Sequence, residues 1–264
     1  MAHIKNTHIY DNLTENSLSS RTKARIQMAM NPASKNRIDK EMAIREFTQL
    51  WDPIGQDDIT LLRQHIELIR LKDKQVIFEE TETPTRVMCL MSGKIKVFKE
   101  GPLGKRQIIR IMKPMDFFGF RAPFAGEDHR TGTMTLESCV IATIPVEVMK
   151  DIMCRNFSVS KFFIQELSYH LGQVEERVIS LIQKHLRGRL ADTLLFIKDN
   201  YGMDEDNVLE VSLSREDMAS LANMTTSNAI RTLSTFANEG LISTNGRHIK
   251  LLNIEELRHI SQQG

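Results

Sequence analysis

The sequence predicts an α+β chain in three parts: a β-roll or barrel, one long helix, and a small terminal unit of two helices and a hairpin. Three observations carry this. Apolar residues alternate with period two, in short runs, from Lys72 to about Val146. Leu167, Leu171, Val174, Val178 and Leu181 then step by 4, 3, 4 and 3, the spacing of a helix–helix seam. The stretch from Leu213 to Leu251 holds two short helical patterns, a turn between them, and two strands around Asn245-Gly246.

Residues 1 to 40 carry seven Lys/Arg against three acids, a local charge of +4. Within them RTKARIQMAM has helical spacing and Pro32 ends it. Three roles stay open for this segment: a disordered tail, a cover for the next domain, or a basic arm. From Met42 to about Leu71 the spacing is helical, as MAIREFTQLW and then DDITLLRQHIELIRL. Asp57 and Asp58 suit an N-cap and a first-turn acid.

QVIFEE, RVMCLMSGKIKVF, RQIIRIM, GTMTLE and CVIATIPV follow as short strands rich in β-branched residues. Ser92-Gly93, residues 101–105, 113–116 and 125–128 separate them as turns. So many short strands, closely spaced, predict a roll or barrel. Helical spacing returns at Glu147 and runs to about Asn200, with the seam inside it. A second copy of the chain is the expected occupant of that seam. An amphipathic helix packed on its own domain is the alternative.

In the last unit Ser214 is expected to cap a helix, with Asp217 three residues on. Asn223-Met224-Thr225 is a turn. Thr225 or Thr226 caps the next helix, with Ile230, Leu233, Phe236 and Ala237 inward and Gly240 ending it. Asn-Gly then turns a hairpin. Two helices with a three-residue turn and a hairpin make a winged helix-turn-helix. The second helix of such a unit presents its amino end to a DNA major groove. Thr225, Thr226, Ser227 and Asn228 are short enough for close approach and carry donors and acceptors. Arg231 can bond guanine or a phosphate. Asn245, Arg247 and Lys250 stand where the wing meets backbone phosphates. Against this, residues 202 to 264 carry five Lys/Arg and nine Asp/Glu, a charge of −4.

Composition narrows the class. The chain has 264 residues, 41% hydrophobic and 26% charged, with net charge +1, ordinary for a globular protein of two domains. Cys89, Cys139 and Cys154 lie far apart, which argues against a disulfide framework and fits a reducing, cytoplasmic setting; each is read as a small buried side chain. No apolar run reaches the ~18 residues of a membrane span, and the amino terminus lacks a secretory core. No glycine-rich nucleotide loop, nucleophile elbow or metal spacing is present, so an enzyme is not expected.

With its motifs FEETETPTRVMCLMSGKIKVF, DFFGFRAPFAGEDHRTGTM, GRLADTLL and the helix-turn-helix, the chain resembles the CRP/FNR family of transcription regulators over about residues 45 to 253. The resemblance implies an N-terminal double-stranded β-helix (jelly-roll) sensor domain, a long dimerisation helix and a C-terminal winged helix-turn-helix DNA-binding domain. The corresponding divisions are an extension over 1–45, the sensor over 46–155, the dimerisation helix over 156–200 and the DNA-binding domain over 201–264. It implies a homodimer on palindromic double-stranded DNA, with RNA polymerase as a candidate further partner. Leu167, Leu171, Val174, Val178 and Leu181 would line the dimer interface.

In family members that bind cyclic nucleotides, a Phe-Gly-Glu and an Arg-Ser or Arg-Thr pair hold the ligand. Here Phe118 and Gly119 match, as do Arg130 and Thr131. The glutamate that accepts from the ribose is Phe120, followed by Arg121. The hydroxyl residues of the seam are Val174 and Glu175, and the glycine expected after the second strand is lost within FEETET. An effector site at Gly119, Phe120, Arg121, Arg130 and Thr131 is therefore expected to refuse cAMP. Another small anion, or no ligand, stays open, and Arg130 has a plainer use as a partner of Glu127 or Asp128. No cysteine precedes Cys89, so an iron–sulfur cluster is not expected. Histidines 3, 8, 65, 129, 170, 185, 248 and 259 show no metal spacing. The competing function is a cyclic-nucleotide-binding-like module whose winged helix contacts protein.

Overall fold

A computed structural model describes residues 38–101, 104 and 106–264. The basic segment before residue 38, with its expected helix, lies outside the described residues. The roll strands are β1 (Glu67–Leu71), β2 (Val76–Phe78), β3 (Arg86–Ser92), β4 (Ile95–Glu100), β5 (Arg106–Met112), β6 (Phe117–Phe118), β7 (Gly132–Thr135) and β8 (Cys139–Pro145). They form two antiparallel four-stranded sheets, in the orders β1-β8-β3-β6 and β2-β7-β4-β5. Phe78, Leu90, Ile95, Val97, Met112, Phe118, Cys139 and Ile141 fill the space between the strands.

Side chains on β3 and β8 alternate between that interior and a second cluster. On β8, Cys139 and Ile141 point to one side, and Val140, Ala142 and Ile144 to the other. Both faces are covered, which is why the strand reads as a continuous apolar run. Ser92-Gly93 makes the turn out of β3. Gly93 holds φ +87°, and an added Cβ would lie 2.5 Å from the Ser138 carbonyl oxygen, so only glycine fits.

The second cluster joins helices to the outer face of the β1-β8-β3-β6 sheet. These are α1 (Lys40–Leu50), α2 (Gln56–His65), α4 (Val146–Arg155) and the start of α5 (Phe157–Gln183); α3 (Arg121–Ala125) is a short helix between β6 and β7. Trp51 is fully buried there among Phe47, Phe117, Phe162 and Phe163. Ile38, Ala43 and Ile44 belong to the same cluster, so residues from 38 onward pack with the roll.

Three expectations change here. The helix expected to reach Leu71 stops at His65, and Glu67–Leu71 pairs with β8 as strand β1. Leu68 packs into one cluster, Ile69 and Leu71 into the other, and a short apolar run satisfies either period. Helix α2 has Gly55 as its N-cap with no side-chain bond, and Asp57 and Asp58 are first-turn acids, the buried Asp58 also pairing with Arg155 at 3.3 Å. Cys89 and Cys139 are buried as expected, but Cys154 is exposed.

The helical stretch after the roll is divided. Asn156 closes α4 and caps α5, accepting from Ser158 N at 2.9 Å. Helix α5 ends at Gln183, and α6 (Leu186–Tyr201) follows. Leu190, Ala191, Leu194 and Ile197 of α6 pack in the C-terminal core, with α7 (Arg215–Leu221), α8 (Thr226–Asn238), β9 (Ile242–Asn245), β10 (His248–Leu251) and α9 (Ile254–Gln263). The long helix therefore ends near residue 183, short of the expected 200.

Strand β5 joins the two domains. Its Ile108 and Ile111 lie in the C-terminal core. Ile108 N donates to Ser220 Oγ at 2.6 Å, and Tyr201 Oη donates to the Ile111 carbonyl at 2.7 Å. Lys96 pairs with Asp217 at 2.6 Å. Arg177, on α5, donates to the carbonyls of Ile108 and Leu221, both at 2.9 Å.

On the same helix, burial and the nearby Arg110 guanidinium push the His170 imidazole down to about 4. Its Nε2 has no hydrogen-bond partner and sits 3.9 Å from a Glu166 oxygen. Folded His170 stays neutral down to about pH 4, whereas an unfolded one takes a proton near pH ~6.5. Below that value the unfolded state binds more protons, so this group destabilises the fold as pH falls from 6.5 to about 4. His129, buried and also lowered, acts in the same direction. His170→Gln should therefore lose less stability than the parent chain between neutral and mildly acidic pH. Urea titrations across that window check this; equal losses would remove His170 from the explanation.

Candidate functional site

Helix α7 starts at Ser214, whose Oγ accepts from Asp217 N at 3.0 Å and donates to Asp217 Oδ2 at 2.8 Å. The helix closes at Ala222, and Asn223 turns the chain with φ +52°. Met224 N then donates to the Ala219 carbonyl at 2.9 Å. Thr225 caps α8, its Oγ1 accepting from Asn228 N at 3.2 Å. The helix pair and its cap fall where the sequence put them.

Ala229, Leu233 and Phe236 anchor α8 in the core. Ser227 and Arg231 are exposed, and Thr226 and Asn228 half-buried. Arg231 Nη2 donates to Asn228 Oδ1 at 3.1 Å, which holds the guanidinium on the outer face. The expected inward set is wrong at one position: Ile230 is 48% exposed, and Ala229 takes the buried place. Gly240 follows the helix with φ +71°.

The wing also departs from its expected register. Asn245 pairs with His248, so the two-residue loop is Gly246-Arg247 rather than Asn245-Gly246. Gly246 has φ +58° and Arg247 is not among the residues with positive φ, the pattern of a loop with glycine in its first position. Asn245 and Arg247 are exposed at the tip; Lys250 is half-buried, opposite Ser243. Arg215, which sequence reasoning passed over, donates to the Gly246 carbonyl at 3.0 Å and ties the wing tip to the start of α7.

Three of the nine acids behind the charge of −4 are paired with Lys or Arg. Asp217 is held by Lys96, Glu239 takes a two-pronged bond from Arg187, and Glu255 pairs with Arg258. From Thr225 to Asn238 there is no acidic residue. The amino end of α8, with its free N–H groups and positive dipole end, faces outward among hydroxyl, amide and guanidinium groups. That arrangement suits a polyanion with hydrogen-bonding edges.

In the roll, Gly119 (φ +73°) leads from β6 into α3. Phe120, at the position expected for an acceptor, is 1% exposed and packs on Phe124 and Phe163. Arg121 and Arg130 are both exposed, and both pair with Glu127. The hydrogen bond from Arg121 is the main cause that holds the Glu127 carboxyl below the usual carboxylate range. Thr131 is half-buried. Around the same mouth Glu80 pairs with Lys99 at 2.7 Å and Glu79 with Arg106 at 3.1 Å. At the position expected to hold the ribose acceptor stands a buried phenyl ring, and Arg130 shares the single carboxylate of Glu127 with Arg121.

Leu167, Leu171, Val174 and Val178 lie exposed along α5, and Leu181 is half-buried. Ile164, which sequence reasoning missed, extends the row by one step and is 57% exposed. Among the described residues no group of three or more His, Cys, Asp or Glu could hold a metal ion, and no helix is long and apolar enough to cross a membrane.

Comparison with known proteins agrees with this geometry. Residues 188–260 match the family model of the Crp-like helix-turn-helix domain, and residues 68–156 that of the cyclic nucleotide-binding domain. A CRP-like cAMP-activated global transcriptional regulator of Mycobacterium tuberculosis is 23% identical over 210 residues, covering 79% of this chain and 94% of the relative. An anaerobic regulatory protein of Aggregatibacter actinomycetemcomitans is 23% identical over 220 residues, covering 81% and 85%. Among solved structures, FixK2 from Bradyrhizobium japonicum superposes with a TM-score of 0.67 at 20% identity, covering 74% of this chain and 96% of that one. With a cyclic-nucleotide-binding-type roll, a long seam helix and a Crp-like helix-turn-helix in that order, the chain belongs to the CRP/FNR family of transcription regulators.

Proposed function

We propose that two copies of the chain, joined along α5, read a palindromic site on double-stranded DNA. A signal received at the roll would set their affinity for it. The observation that carries this reading is the acid-free, outward amino end of α8, with Thr225, Thr226, Ser227, Asn228 and Arg231 on it and Asn245, Arg247 and Lys250 on the wing beside it. Short polar groups at a helix amino end can approach base edges and phosphates together. A two-fold pair of such helices fits half-sites about one DNA turn, roughly 34 Å, apart. Bound there, a regulator acts through RNA polymerase, the further partner of this reading. The setting is the cytoplasm and the role is not catalytic.

The signal is not cAMP in this reading, because the buried Phe120 leaves no ribose acceptor. Arg121 and Arg130 beside one carboxylate leave room for a different anion that displaces Glu127.

Arg231→Ala should weaken binding to DNA selected from a random pool by about 1–3 kcal/mol and relax sequence preference at one position per half-site. Arg247→Ala should weaken all sequences alike and lower the salt slope by about one. Gel-shift titrations over a salt series measure both. Unchanged affinity in Arg231→Ala, or binding indifferent to salt, would favour a winged helix that docks on protein.

A thermal-shift assay tests the roll. A ligand at ~100 times its Kd adds roughly 2.7 kcal/mol of stability, which moves a melting point by several degrees. Millimolar cAMP is expected to leave Tm unchanged; a clear rise would overturn the reading of Phe120.

A further inference from the structure

Helix α8 places its large apolar side chains inward with one exception. Leu233 and Phe236 are 3% and 0% exposed, while Ile230 is 48% exposed. Ile230 lies one turn beyond the half-buried Thr226 and the exposed Ser227, and next to the exposed Arg231, on the same helix. A β-branched residue is a poor choice for an exposed helix position, and it leaves apolar surface in water. The apolar row of α5 is a separate surface on a different helix.

A duplex offers one apolar group in its major groove, the C5 methyl of thymine. We infer that Ile230 is a specificity residue that packs on a thymine methyl, beside the base pair met by Arg231. This rests on the reading of α8 as the DNA-contacting helix and adds to it a base preference made by shape and apolar contact. A cytosine at that position would offer no methyl and a polar amino group instead, so Ile230 would reject it without any hydrogen bond of its own.

The test uses DNA selected from a random pool by the full-length chain. Each thymine is replaced in turn by deoxyuridine, which removes only the methyl. Affinities are then measured for the parent and for Ile230→Ala. Ile230 is outside the core, so the variant should fold, and its circular dichroism and melting curve check this. At one thymine in each half-site, deoxyuridine should weaken the parent about four-fold, the loss expected for one methyl leaving an apolar contact. The same replacement should leave Ile230→Ala nearly unchanged. If deoxyuridine acts equally on parent and variant at every thymine, the inference fails while DNA binding stands. If the pool yields no enriched sequence, the reading of α8 itself fails and takes the inference with it.

Discussion

Helix α5 holds Ile164, Leu171, Val174 and Ile182 more than half exposed, with Leu167 and Val178 between them. Such a row, roughly 27 Å of helix, has a large free-energy cost in water unless another apolar surface covers it. Its 4-3 spacing is that of a helix seam, and on α5 only Val159 and Phe163 are fully buried by this chain. A second α5 is the surface that matches it in length and period. Everything else in the proposed function depends on that pairing, because one recognition helix alone reads half a palindrome.

The same helix is wired to both domains on its other side. Arg177 bonds carbonyls on β5 and on α7, while Ser220 and Asp217 of α7 bond the roll through Ile108 N and Lys96. A shift of α5 against the roll breaks the Arg177 bonds if α7 stays with the roll, and the Ser220 and Asp217 bonds if α7 follows α5. The half-buried Lys96–Asp217 pair and the buried Ser220 contact are costly to leave unmade. A signal at the roll has a short physical route to the helix-turn-helix, provided it favours one of two arrangements over the other.

Much of this was legible in the residues. Short runs rich in β-branched residues and bounded by turns marked most of the strands, although β8, covered on both faces, reads as a continuous apolar run. Ser214, Thr225 and Gly240 marked the helix ends through hydrogen bonds local to the chain. What was missed depended on tertiary packing. Residues 67–71 suit a helix by themselves and become a strand because β8 lies beside them. Ile230 fits an inward period as well as Ala229 does, and the small residue won the crowded place. The break at residues 184–185 has no proline or glycine to announce it. In the roll, the substitution of Phe120 and the pairing of Arg130 with Glu127 were both visible, but the addition of Arg121 to the same glutamate was not, since contacts among exposed side chains leave no periodic trace.

The pairing of α5 is best tested by the mass of the purified chain in sedimentation equilibrium, alone and with Leu171→Glu and Val174→Glu together. The parent should behave as twice the 30.3 kDa chain mass at micromolar concentration, and the double variant as a single, folded chain that no longer holds palindromic DNA. A parent that stays a lone subunit, or a double variant that remains a dimer, would contradict the central claim.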